Sequence, residues 1–242
     1  MSPDILITIS ITSIIQSIFG TGVLLFGTPL LLILGYEFEY VLIVLLPISL
    51  LINFFQLLGN YKKIFIRFFK KLIFYSLPFI IICLSFASFH LINTNFVVGL
   101  FLIIISFRNF IPIFENLIKS LLNNESLYLM ILGVTHGFTN LGGALLSGAI
   151  FSKNLSKESK RATIAACYFS MAFIQLMTLS VTIDEFSFIK LFNFYWILGP
   201  AIFFFVEKYL YFRIDENKYN IYSNIFLSII GLMLIMKTLF DF

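Results

Sequence analysis

Residues 127–151 read LYLMILGVTHGFTNLGGALLSGAIF. The run is apolar enough for a lipid bilayer, yet glycine interrupts it at Gly133, Gly137, Gly142, Gly143 and Gly148. Its flanks decide how it is placed. Immediately after it, the segment 152–161 holds Lys153, Lys157, Lys160 and Arg161 against Glu158. Two apolar runs before it, the segment 60–71 holds Lys62, Lys63, Arg67, Lys70 and Lys71 with no acid. Short loops rich in Lys and Arg stay on the cytoplasmic side of a membrane. From 60–71 the chain passes out through 72–90 and back through 96–114, so it enters 127–151 from the side on which 152–161 lies. The run must return to the side it came from. That predicts a re-entrant helix hairpin with its tip at the glycine-rich centre.

Composition makes the bilayer the solvent. Of 242 residues, 60% are hydrophobic and 12% charged, and mean hydropathy is +1.02. A soluble domain is about one quarter charged, so a soluble enzyme, a nucleic-acid binder and a disordered chain all fit poorly. The net charge of +4 matters by position, not as a sign of an acidic partner. One span takes about 20 residues, and the apolar elements fall at 5–35, 40–59, 72–90, 96–114, 127–151, 163–182, 187–206 and 221–240. In lipid each must be helical, because unpaired backbone groups find no water there. The N-terminus has no Lys or Arg before its apolar run, which makes a poor signal peptide. Cys83 and Cys167 both lie inside apolar runs and read as small buried hydrophobes.

The run 5–35 is the second misfit, too long for one span and too short for two. It is cut by Gly20-Thr21-Gly22, then by Gly27 and Pro29. The two broken elements hold nine of the thirteen glycines. Charge then reverses between the halves. The loop after 5–35 carries Glu37 and Glu39 where the loop after 127–151 is basic; the basic segment 60–71 answers to Asp184 and Glu185. Phe54-Phe55-Gln56-Leu57 also echoes Phe173-Ile174-Gln175-Leu176. The expected fold is an all-α polytopic membrane protein, an inverted repeat of a broken helix hairpin plus three transmembrane helices. The first repeat is 1–120 (5–35, 40–59, 72–90, 96–114) and the second 121–242 (127–151, 163–182, 187–206, 221–240).

Inverted repeats with broken helices are the architecture of secondary transporters, with the site where the repeats meet. The second arm of each hairpin begins at the tip, so its free N–H groups and positive dipole end point into the protein. Two opposed hairpins would aim two such ends at one volume, an anion site without formal charge in the bilayer. The expected substrate-binding residues are Gly20, Thr21, Gly22, Asn53, Gln56, His136, Thr139, Asn140, Gly142, Gly143 and Gln175. Other polar residues at the tips are Gln16, Ser17, Thr28 and Thr135. Two readings fit His136, a proton carrier or a neutral hydrogen-bonding residue. Thr139 and Asn140 suit a hairpin turn as well as a ligand. Asn53 and Gln56 fit equally as glue between helices. Arg108 is expected to pair with Glu115, and Arg161 counts first as an orienting charge.

At these residues the chain resembles the sulfite exporter TauE/SafE family, also called the 4-toluene sulfonate uptake permease family. The likeness lies in Gly20-Thr21-Gly22 through Gly27-Thr28-Pro29 and the leucine run to Gly35, and in Leu45-Leu46-Pro47 through Asn53 and Gln56. The second half matches in Gly133-Val134-Thr135-His136-Gly137, in Gly142-Gly143 and in Arg161-Ala162-Thr163. It departs at Gly22-Val23-Leu24, where a triple glycine is common, at Ala144 for a proline, and at Asn140 for a glycine. The resemblance implies export or uptake of sulfite, sulfonates or other sulfur-containing anions.

The leading expectation is therefore a secondary transporter of a small anion, in the cell membrane, with 60–71 and 152–161 cytoplasmic. Partners are the anionic substrate, the lipid bilayer and a possible coupling proton; nucleic acid, metal and cofactor are not expected. No phosphate-binding loop is present, so ATP is not its drive. Two other classes compete. A structural or assembly subunit would need no matched broken helices. An intramembrane enzyme is suggested by Ser147 and His136, but Leu145 stands where a nucleophile motif has glycine.

Overall fold

The structure is a computed structural model that describes residues 2–19, 22–89, 92–107, 121, 123–183, 195–210 and 216–240. Its helices are α1 (Pro3–Phe19), α2 (Val23–Ile33), α3 (Phe38–Asn60), α4 (Ile66–Tyr75), α5 (Leu77–Ser88), α6 (Thr94–Phe107), α7 (Glu125–Thr139), α8 (Gly143–Phe151), α9 (Lys157–Thr182), α10 (Tyr195–Leu210) and α11 (Glu216–Phe240). A 3-10 turn, Tyr61–Lys63, follows α3. No strand occurs among the described residues. Among the described residues, three stretches are long and apolar enough to cross a membrane: Phe38–Lys63, Ile66–Ser88 and Lys157–Thr182. The expected Arg108–Glu115 pair, Gly20, Thr21 and the acidic loop at 184–185 lie outside the described residues.

The helices are inside out relative to a soluble bundle. Along α1, Ile5, Thr8, Ile9, Thr12, Ser13, Gln16 and Ser17 are buried, at the spacing of one helix face. Ile7, Ile11 and Ile14 on the other face are exposed. In α9, Gln175 is buried while Phe173, Met177 and Val181 face out. Hydroxyls and amides inside with isoleucine and phenylalanine outside minimise free energy only when the surroundings are lipid.

Both glycine-rich runs are helix-break-helix elements, and in each the two ends meet. At the open end of the first, the Tyr36 hydroxyl donates to Asp4 Oδ2 at 2.7 Å. At the open end of the second, Lys153 Nζ lies 2.5 Å from Glu125 Oε1, and Lys71 Nζ 2.5 Å from Glu125 Oε2. Tyr128 of α7 also donates to the Leu145 carbonyl of α8 at 2.6 Å.

The helices pair across the chain. α6 packs most extensively on α11, α3 on α9, α1 on α10 and α5 on α7; α9 also lies against α5, and α10 against α3. Small residues set several of these contacts. On α7, Gly133 and Gly137 sit one turn apart; Cβ atoms there would fall 2.9 Å from Ser76 Cα and 2.6 Å from Cys83 Cβ of α5. The Ser76 hydroxyl, in the break between α4 and α5, donates to the Leu129 carbonyl at 2.7 Å. Gly99 and Gly231 face each other across α6 and α11, each 2.9 Å from the other's carbonyl oxygen by the same measure. Cys83 and Cys167 are free and buried, as their apolar context predicts.

Candidate functional site

The break in the second hairpin is closed by its own polar side chains. α7 ends at Asn140, which adopts φ 60° and ψ 12°, and its N–H donates to the His136 carbonyl at 2.8 Å. This left-handed conformation suits glycine, with asparagine the usual substitute. That accounts for Asn140 at a place where the family resemblance leads one to expect glycine. Thr139 Oγ1 donates to the Thr135 carbonyl at 2.6 Å and accepts the Leu141 N–H at 3.1 Å. Turn closure, one of the two readings of this pair, thus has a geometry.

The N-terminus of α8 is capped from inside the same hairpin. His136 Nδ1 accepts the Gly142 N–H at 3.2 Å. With Nδ1 an acceptor, the proton of the neutral ring is on Nε2. His136 is fully buried and its Nε2 has no hydrogen-bond partner. Gly142 is glycine because a Cβ there would lie 2.6 Å from His136 Cβ. At Gly143 a Cβ would collide with the Tyr168 hydroxyl of α9. The protein's own rings therefore fill the approach to this helix end.

In the first hairpin, Gln16 Oε1 accepts the Val23 N–H at 2.8 Å, at the N-terminus of α2. A Cβ at Gly22 would fall 2.5 Å from the Gln16 backbone nitrogen, so the arms cross in direct backbone contact. The hairpins touch where Asn140 Nδ2 donates to Thr28 Oγ1 of α2 at 3.0 Å. Gln175 of α9 is fully buried at the same place, its amide 3.5 Å from the His136 carbonyl. Asn140 Oδ1 and Gln175 Oε1 have no hydrogen-bond partner. An unpaired polar atom in an apolar interior costs on the order of 1–3 kcal/mol, and the hairpin junction gathers three of them: His136 Nε2, Asn140 Oδ1 and Gln175 Oε1.

Asn53 and Gln56 belong to a second cluster. Asn53 Nδ2 donates to the Ser49 carbonyl at 2.6 Å and lies 3.2 Å from its hydroxyl. With the Gln56 amide turned to satisfy its neighbours, its nitrogen donates to Asn53 Oδ1 at 3.3 Å and its oxygen accepts from Arg161 Nε and Nη2 at 3.2 and 3.1 Å. Arg161 also pairs with Glu207 of α10. A cleft of about 160 Å³ opens here, lined in part by Phe55, Gln56, Asn60, Arg161, Phe204 and Glu207.

Sequence reasoning thus found most of the junction but not its wiring. Tyr168 carried no signal in an apolar helix, and Glu207 falls one residue past the expected span 187–206. Arg161, read as an orienting charge, is a hub between three helices. Ser147 Oγ and His136 Nε2 each lack a partner, so they form no nucleophile–base pair. Among the described residues no three His, Cys, Asp or Glu side chains group as metal ligands.

The family model for "Sulfite exporter TauE/SafE" matches residues 5–234, nearly the whole chain. Neither a search of curated proteins nor one of solved structures returned a match.

Proposed function

The chain belongs to the sulfite exporter TauE/SafE family, and from that premise we propose that it moves sulfite, a sulfonate or another small sulfur-containing anion across the cell membrane. The anion is held at the junction of the two hairpins. The observation that carries this reading is the joining of the tips by Asn140 and Thr28 beside three buried polar atoms without partners. Of the three unpartnered atoms only His136 Nε2–H is a donor; the other neutral donors are the second N–H of the Asn140 and Gln175 amides, whose first N–H goes to Thr28 Oγ1 and the His136 carbonyl. A neutral site avoids the cost of a fixed charge at mid-membrane. His136 serves as cap and donor, not as proton carrier, because protonating Nδ1 would remove the acceptor of the Gly142 N–H.

The halves 1–120 and 121–242 act as inverted repeats. Two matched pairs of contacts and two self-matched ones support this. α1 packs on α10 as α7 packs on α5, and α3 packs on α10 as α9 packs on α5. α3 against α9 and α6 against α11 are each self-matched pairs. Gln16 and Gly22 of one tip recur as His136 and Gly142 of the other at equal spacing, each glycine pressed against its partner. The loops 60–71 and 152–161 face the cytoplasm, and the pairing of Lys153 and Lys71 with Glu125 at one end of the second hairpin supports a re-entrant path. Single cysteines at 95, 155 and 184 in a cysteine-free variant should label from outside, inside and outside. External labelling at 155 overturns the topology. Uptake and efflux of labelled sulfite, thiosulfate and sulfonates in proteoliposomes test the activity, and flux no greater than in empty vesicles sinks it.

A further inference from the structure

The cleft between α3, α9 and α10 contains a guanidinium in a family whose cargo is anionic. Arg161 and Glu207 are partly exposed there, at 22% and 24% of their side-chain surface. The rings of Phe55 and Phe204 meet edge to face, with centroids 5.8 Å apart, at the rim. From this cleft a polar stripe runs inward along one face of α3. Asn60 donates to the Gln56 carbonyl at 3.3 Å, Gln56 reaches Asn53, and Asn53 reaches Ser49. The stripe spans roughly 16 Å at helical rise, and its inner members Ser49 and Asn53 are fully buried. Gln56 and Asn60 are half-buried at the cleft, and buried polar residues such as Ser49 and Asn53 in a helix in lipid are costly unless they serve packing or passage.

We propose that Arg161 is a second anion-binding residue, at the basic-loop mouth, that Glu207 occupies it as an internal substitute for the anion, and that the α3 stripe is the route inward. This rests on the transport reading. A carboxylate and a small oxyanion offer a guanidinium the same geometry, so both cannot hold it at once. The arriving anion displaces Glu207, and the displaced carboxylate frees α10 from α9 at this end. No covalent step is involved. Gln56, held between Arg161 and Asn53, passes the anion from the charged mouth to the neutral stripe.

The experiment is equilibrium binding of sulfite, with sulfate as comparison, to purified full-length protein and to Glu207→Gln, Arg161→Gln and the double variant. Glu207→Gln should bind about fivefold more tightly, the gain from removing a competing, partly exposed carboxylate. Arg161→Gln should cancel that gain in the double variant. Should Glu207→Gln fail to fold, Glu207→Asp carries the same test, since it shortens the competitor without removing its charge. Equal affinity in wild type and the Glu207 variants, or a gain that survives Arg161→Gln, overturns the proposal. The transport reading fails separately: if wild type moves sulfite while the variants bind alike, only the Arg161 site is lost. If no anion is transported but the Arg161-dependent gain appears, the site stands and the transport reading falls.

Discussion

In the first hairpin a glutamine takes the N–H of Val23, the first residue of the second arm; in the second hairpin a histidine takes the N–H of Gly142, one position before the second arm. Both caps come from the end of the first arm and reach across the break. Both leave a glycine pressed against the capping residue, Gly22 on Gln16 and Gly142 on His136. The next position differs. It is Val23, buried and tolerated, in one hairpin and Gly143, closed off by Tyr168, in the other. The backbone problem is therefore common to the two tips, while the space around each is set by whichever helix lies alongside.

The largest effect should come from removing that difference. Gly143→Val places a branched side chain where the Tyr168 ring already stands. The cost should exceed the ~1–3 kcal/mol usual for overpacking, leaving little folded protein in the membrane, as judged by yield and size-exclusion profile. Adding Tyr168→Ala should recover yield; no recovery would show that the glycine is needed for something other than room. Gly22→Ala should cost more than Gly142→Ala. The new methyl meets three backbone atoms at 2.5, 2.7 and 2.9 Å in the first case and one atom closer than 3.0 Å, His136 Cβ at 2.6 Å, in the second, so more of the backbone must shift at Gly22.

This contrast also marks where sequence reading stops. Both breaks were legible, because nine of thirteen glycines fall in two runs. The return of the second hairpin followed from two basic loops, and its ends do meet, at Glu125 and Lys153. His136, Thr139, Asn140 and Gln175 are brought together as expected from their places near the break and on the following span. The kinship of Gln16 and His136 was not legible. A glutamine and a histidine share no pattern, and their common role exists only once the chain has doubled back. Arg161 and Glu207 are separated by more than a full span, so nothing local couples them. Asn53 and Gln56 were visible as polar residues within one span, ligands or glue between helices, but which cluster they join depends on how α3 packs against α9.

The caps come next in size. Gln16→Leu and His136→Leu should each leave one N–H unpaired in an apolar interior, at about 1–3 kcal/mol, lowering the thermal midpoint of purified protein. His136→Gln carries the sharper outcome. Glutamine is the cap the first hairpin already uses, so the variant should keep its fold and its anion exchange. Flux driven by an imposed pH gradient separates the two readings of His136. A cap and donor predicts gradient-driven flux near wild type in His136→Gln. Its loss, with exchange intact, would make the imidazole the proton carrier and break the likeness of the tips.

The smallest effects should lie at the open ends, where water can replace what is removed. Tyr36→Phe removes one hydrogen bond to Asp4, worth on the order of 1 kcal/mol. Glu125→Gln removes the carboxylate that holds both Lys71 and Lys153, so the second hairpin should lose more than the first. Burial alone would push the Glu125 carboxyl up, but the hydrogen bonds and charges of Lys153 and Lys71 outweigh it and hold the group below the usual carboxylate range. A carboxylate depressed in the folded state stabilises fully above its unfolded value, about pH 4.3, and that contribution fades as pH falls through the lower folded value. The thermal midpoint of wild type should therefore drop more steeply below about pH 4.3 than that of Glu125→Gln. Parallel curves for the two proteins would show that the lysines reach Glu125 without stabilising it, and the ends of the two hairpins would then be alike in being held only by their tips.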